Sequence, residues 1–198
     1  MILTPIPREQ LIAVLDRFAG QLDDPDARAA FARIRATAAE RAAGAAAESH
    51  RQEALALARR CGVRVHPPGA HARFNWDGAA LEGATEAYVI LHEIAHFVLA
   101  PPERRRLVDF GLGPGPDTTA RAAAERAAVL PVAARDAEEA AASLLGILWE
   151  ARLGQPALAS FLDQNWLEGL DRSAVAHFTA VLRRLRRIGV VEIGGKTR

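Results

Sequence analysis

Within YVILHEIAHFVLA, residues Tyr88 to Ala100, three polar side chains interrupt an apolar run: His92, Glu93 and His96. Histidines four apart lie on one helical face, one turn above the other, so both rings can reach a single ion. Glu93 lies beside them, close enough to act on a metal-bound water. The pattern is HExxH, here HEIAH. A helix apolar on all sides reads as buried. Burying two imidazoles and a carboxylate there is costly unless they are satisfied, and a metal ion satisfies them. The plainer reading, a core histidine held by hydrogen bonds alone, does not account for all three groups on one buried helix.

Such a site needs a third protein ligand and an open position. The extension HExxHxxGxxH fails, because Leu99 and Pro102 stand where its glycine and third histidine would be. A glutamate from a later helix is the other common solution. DAEEAAASLLG, residues 136 to 146, offers Glu139, followed one and two turns on by Ala142, Ser143 and Gly146. Small side chains there let that helix approach HEIAH closely. Glu138 is the alternative ligand, with Ala141, Ala142 and Leu145 as companions. Glu139 also has a capping reading, in which Asp136 is an N-cap and Glu139 completes a box three residues later. Asp109, in LVDFG, is a candidate to orient a ligand histidine through the ring's other N–H, and otherwise a solvated loop aspartate. His50, His66 and His71 read as surface or loop residues, with His66 or His71 able to enter the site. His177, beside Phe178, reads as core or cleft-facing.

The elements that must position these groups are mostly helical. PREQLIAVLDRFA reads as a first helix, ended by Gly20. Asp24 and Pro25 suit the N-cap and first position of a second helix, which continues, with a break near Gly44, to about Arg60. VRV and RFNW are strand candidates either side of a Pro-Pro-Gly turn. The HEIAH helix spans about Thr85 to Ala100 and stops at Pro101 and Pro102. A Gly/Pro loop, an Ala-rich helix to about Val129, and helices Asp136–Leu153 and Asp171–Ile188 follow. VVEI reads as a last strand. The expected class is α+β, mostly helical, with a small sheet. Residues 1–60, rich in Ala and Arg, form a helical segment expected to pack on a metal-binding unit of residues 61–198.

Composition narrows the functions. The 198 residues are 50% hydrophobic and 25% charged, ordinary for one soluble domain. A formal net charge of +1 offers no field to attract nucleic acid or a membrane surface. The basic run Arg183 to Arg187, RRLRR, reads as a solvated face. The single cysteine, Cys61, excludes an internal disulfide and cysteine-type zinc sites. MILTPIPREQ lacks the apolar core of a signal peptide, and no run reaches the roughly 18 apolar residues of a membrane span. A cytoplasmic, reducing location is expected, with no nucleic-acid or membrane partner.

LHEIAHFVLAPPERRRLVDFG resembles the elongation factor P hydroxylase family, in which an HEIxH helix precedes paired arginines and LVDFG. Here those features are His92–His96, Arg104–Arg106 and Leu107–Gly111. Pro116 and Asp117, EEAAASLL and DQNWLEG (163–169) also look like family segments, so the similarity runs from about Tyr88 to about Leu185. The resemblance implies a zincin-like metalloprotein fold that uses non-haem iron to hydroxylate a modified lysine on elongation factor P. It implies His92, His96 and Glu139 as metal ligands, with Glu93 in the site. The family's aromatic segment after DFG is replaced by LGPGPDTT, and an Ala-rich insertion follows Asp117, both where substrate would be read.

Two histidines and a carboxylate serve two chemistries. With zinc, the ion lowers the pKa of its water and Glu93 acts as base for peptide hydrolysis. With iron(II), the trio is the facial set of non-haem oxygenases. Glu93 favours the first and RRRLVDFG the second. The expectation is a metal-dependent enzyme acting on a protein side chain, with one divalent ion, iron(II) ahead of zinc. A zinc metallopeptidase is the alternative. The third reading is a non-catalytic helical interaction module stabilised by metal.

Overall fold

The computed structural model describes residues 6–67, 73–115, 118–168 and 173–191. Eight α-helices form there: α1 Arg8–Gly20, α2 Pro25–Arg35, α3 Gly44–Arg60, α4 Ala87–Leu99, α5 Arg121–Ala127, α6 Val132–Leu153, α7 Ala157–Asp163 and α8 Ala174–Arg187. Local signals account for several of their ends. Asp24 caps α2 by accepting from the Asp26 and Ala27 amides at 3.0 and 3.2 Å, with Pro25 at the first turn. Gly154 closes α6 in the left-handed conformation that glycine adopts without strain. α8 starts at Ala174 under a Ser173 cap, and Asp171 lies outside the described residues.

The expected small sheet is absent among the described residues. VRV and RFNW do not pair with each other; each makes a single bridge to Leu81, through Val65 and Trp76. The pairing stops after one residue for local reasons. Two prolines, Pro67 and Pro68, follow His66 in the sequence, and the second removes the next N–H that could extend the pairing. After Trp76, the Asp77 carboxylate accepts from the Ala79 and Ala80 amides, both at 2.8 Å, and turns the chain back. The expected final strand is not formed at Val190 and Val191, and its remaining residues lie outside those described.

A second correction concerns α6. Its N-cap is Pro131, and the helix begins at Val132 rather than Asp136. Val-Ala-Ala-Arg carries helical residues back to the proline, so Asp136 and Glu139 stand inside the helix. The capping-box reading of Glu139 is thereby removed.

α6 is the spine of the molecule. One face joins α1, α2, α7 and α8 around Phe18, Phe31, Phe161 and Phe178. Their rings pack with centroids 4.7 to 6.4 Å apart, all tilted or edge-on. A second core holds α3 and the apolar side of α4 through Leu55, Trp76, Leu81, Ile90, Leu91, Ile94 and Phe110. α4 and α6 lie against each other between the two. A Cβ on Gly146 would sit 3.4 Å from the His92 backbone, so α6 crosses α4 closely at the HEIAH turn, with room for a methyl group but little more. No helix among the described residues is long and apolar enough to cross a membrane.

α6 also carries a buried acid on its far end. Glu150 is 2% exposed, 3.4 Å from Arg41 of the connection between α2 and α3. Burial lifts its pKa to about 7, against the opposing pull of Ser160 and Arg41. The folded protein therefore holds this proton more tightly than the unfolded chain. That contribution is present below about pH 4.5 and is lost as pH rises to about 7. At about 1.4 kcal/mol per unit, it amounts to roughly 3 kcal/mol. Urea unfolding of Glu150→Gln and wild type should show their stability difference moving by that amount in the variant's favour between pH 4.5 and pH 8. Parallel pH profiles would contradict this assignment.

Candidate metal centre

α4 points His92 and His96 towards α6, and α6 returns Glu139. The two Nε2 atoms are 3.0 Å apart, and Glu139 Oε2 lies 3.4 Å from that of His92 and 3.3 Å from that of His96. The three ligand atoms form a group able to hold a metal ion. Nitrogens bound at about 2.0–2.1 Å to one ion, at angles between octahedral and tetrahedral, lie roughly 2.9–3.4 Å apart, so the spacing fits. His96 is 3% exposed, while His92 and Glu139 are partly open to a cavity of about 600 Å³. That leaves a side from which a small molecule can reach the ion.

The electrostatics also call for a cation. Burial disfavours a charged His96, yet the Glu138 and Glu139 carboxylates outweigh it and push its pKa up to about 10. Burial works against a charged Glu139 too, but the two histidines hold its pKa well below the carboxylate range. The same excess of negative charge that retains a proton on the ring favours a divalent ion in its place.

Glu93 is almost fully buried beside the two histidines. It accepts from Asn75 Nδ2 at 3.2 Å. Burial raises its pKa, His96 and His92 partly offset this, and Asp109 and Glu139 add to it. Glu93 lines the same cavity as the trio.

Comparison with protein-family models, with curated proteins and with solved structures gives no match.

The remaining sequence candidates have definite places. Glu138 is not part of the metal group. Its Oε2 accepts from Arg104 at 2.5 Å, and its Oε1 lies 3.7 Å from His96 Nδ1. Asp109 is buried and faces the cavity, which excludes a solvated role. It accepts from Thr118 Oγ1 at 2.6 Å, and the carboxylate behind the His96 ring is that of Glu138 instead. Burial raises the Asp109 pKa, against its hydrogen bonds from Thr118 and the Gly115 and Trp76 backbone. His66 Nε2 lies 3.0 Å from Asp77, while His50 lends its carbonyl to Gln155, and neither lines the cavity. His71 lies outside the described residues. His177 does line the cavity, stacked on Trp166 at 5.1 Å.

Sequence reasoning missed several residues. Asp109 and Phe110 sit at φ 43° and 54°, a left-handed turn that costs on the order of 1 kcal/mol per residue. It lays Phe110 over the His96 ring at 5.7 Å, with Trp76 stacked behind at 5.2 Å. Asn75 and Arg104 come from segments with no helical period to announce them.

If an ion displaces the His96 proton, binding should release about one proton per ion at pH 8, because Glu139 is already ionised. Zinc titration calorimetry in buffers of different ionisation enthalpy measures this. Glu139→Ala should abolish stoichiometric binding while leaving the far-ultraviolet dichroism unchanged. Proton-free binding, or wild-type affinity in the variant, would exclude this arrangement.

Proposed function

We propose that the protein is an iron(II)-dependent hydroxylase acting on a protein side chain, similar in chemistry to the elongation factor P hydroxylases. One observation carries the reading. The His92–His96–Glu139 group opens on a cavity lined also by Glu93, Asp109, Asp136 and Glu168, with no lysine or arginine among its described lining residues. Even with a divalent ion in place, that lining suits a cationic side chain, as a lysine or its aminoacylated form would be. The residues that carry the family resemblance support it too. Arg104 grips Glu138, and Asp109 and Phe110 wall the cavity beside His96. The zincin-like fold and elongation factor P as partner belong to the same proposal.

Bound iron(II) would supply activation of dioxygen for insertion into a C–H bond. One oxygen atom enters the substrate; the other leaves as water with two protons and two electrons from an external reductant. The protein's part is positional. His92, His96 and Glu139 would hold the ion, and their group borders the cavity from which substrate would approach. Asp136 and Glu168 draw the cationic group inward, and Phe110, Leu112 and Trp166 provide the apolar wall along its methylenes. Glu93, with a raised pKa, holds or accepts a proton next to the ion.

That same placement of Glu93 favours a second reading, zinc-dependent peptide hydrolysis with Glu93 as base. Metal content and product separate the two. Protein purified anaerobically should carry iron and, with dioxygen and a reductant, add about 16 Da to a lysine-modified elongation factor P, the mass of one oxygen atom. Stoichiometric zinc with cleavage of casein would reverse the order. Glu93→Gln should retain the metal but lose turnover by roughly 10²–10⁴-fold; unchanged function would point to the non-catalytic module.

The cavity's charge gives an independent check. Asp136→Asn combined with Glu168→Gln should raise KM for the cationic substrate about fivefold with little change in kcat, in line with roughly 1 kcal/mol for partly solvated charges. An unaltered KM would remove the cationic-substrate argument.

A further inference from the structure

We propose that Arg104 and Glu138 are positioning residues for the metal centre: Arg104 fixes the Glu138 carboxylate so that it accepts from His96 Nδ1–H and aims His96 Nε2 at the ion. The inference rests on His92, His96 and Glu139 being the metal group. His96 Nε2 faces His92 and Glu139, so with an ion bound the ring's proton must be on Nδ1. Buried Nδ1 has no hydrogen-bond partner, and neither has Glu138 Oε1, the carboxylate oxygen 3.7 Å away. A donor and an acceptor thus face one another, each with nothing else to satisfy it. A shift of about 0.8 Å closes them to ordinary hydrogen-bond length.

Glu138 cannot turn away to become a ligand itself. Its other oxygen takes Arg104 Nη2 at 2.5 Å, and Arg104 Nη1 donates to the Phe110 carbonyl at 3.0 Å. The guanidinium therefore joins three things: the carboxylate behind the ring, the backbone of the left-handed turn, and through Phe110 the aromatic face stacked on His96. A simple structural salt bridge does not require this arrangement. A buried pair alone contributes little relative to apolar residues of the same volume, and it would leave Glu138 Oε1 without purpose. The neighbouring glutamates thus divide two tasks, Glu139 at the ion and Glu138 behind the ring. Partners of the latter kind orient ligand histidines and raise their basicity.

Cobalt(II), titrated into the full chain against a competing chelator and followed by its visible absorption, tests this without any turnover assay. Wild type should bind one equivalent. Glu138→Gln and Arg104→Met should each weaken binding about 10–100-fold and alter the absorption bands. The double variant should be no worse than the weaker single, because both act through one contact, and Arg104→Lys should fall between. NMR of the zinc-loaded wild type is decisive even if a variant fails to fold: the His96 Nδ1–H proton should be shifted downfield and protected from exchange by its hydrogen bond to Glu138. An unshifted, freely exchanging Nδ1–H, or wild-type cobalt affinity and spectrum in a folded Glu138→Gln, would overturn the inference while the metal group stands. Failure of wild type to bind cobalt would overturn the metal group and this inference together.

Discussion

Two imidazoles and a carboxylate share one point at the crossing of two apolar helices, and only a positive charge at that point balances them. This constraint organises the centre of the molecule. α4 is apolar over most of its surface, so it has to be covered, and α6 covers it at the HEIAH turn. Gly146 lies at the close approach of the two helices, against the His92 backbone. At that distance Glu138 and Glu139 of α6 reach the histidines, Glu138 buried and Glu139 half open to the cavity. Hydrophobic burial therefore produces the polar juxtaposition: the helices pack for their apolar faces, and the polar groups between them are forced together.

The rest of the architecture holds that crossing still. The four-phenylalanine core grips one side of α6 through α1, α2, α7 and α8. The smaller core grips α4 through α3 and the segments on either side of Trp76. The N-terminal helices are thus part of the same packed body as the centre. Arg41 ties them further, reaching from the α2–α3 connection to Glu150, Ser160 and Asp163 and lying 3.7 Å over the ring of Tyr88, itself on the cavity wall.

Helical periodicity made the centre legible. His92 and His96 lie one turn apart whatever the tertiary fold, and Ala142 and Gly146 announce a helix face able to come close. Those features depend on spacing within one element, which a sequence displays directly. Asn75, Arg104 and Phe110 depend on where irregular chain runs, and spacing says nothing of that. A left-handed pair such as Asp109–Phe110 is especially opaque, since neither residue type demands it. The expected sheet fails for a related reason. Val63–Val65 and Phe74–Trp76 have strand-like side chains, but the proline and aspartate beside them end pairing after one residue. Asp136 has the chemistry of an N-cap, yet Pro131 starts the helix earlier, because alanines and arginine fill the turn between them.

Successive residues on a helix diverge by about 100°. Glu138 and Glu139 therefore look in different directions from one stem, and their bearings are tied to Gly146 two turns on. Inserting or deleting a single residue between position 138 and position 146 would rotate both acids off their targets at once. That segment has no slack in length, however freely its individual outward-facing side chains vary. The exposed turns of α5, Arg121–Ala127, carry no ligand of the metal group. Changes there would leave the spacing between Glu138, Glu139 and the α4 crossing untouched.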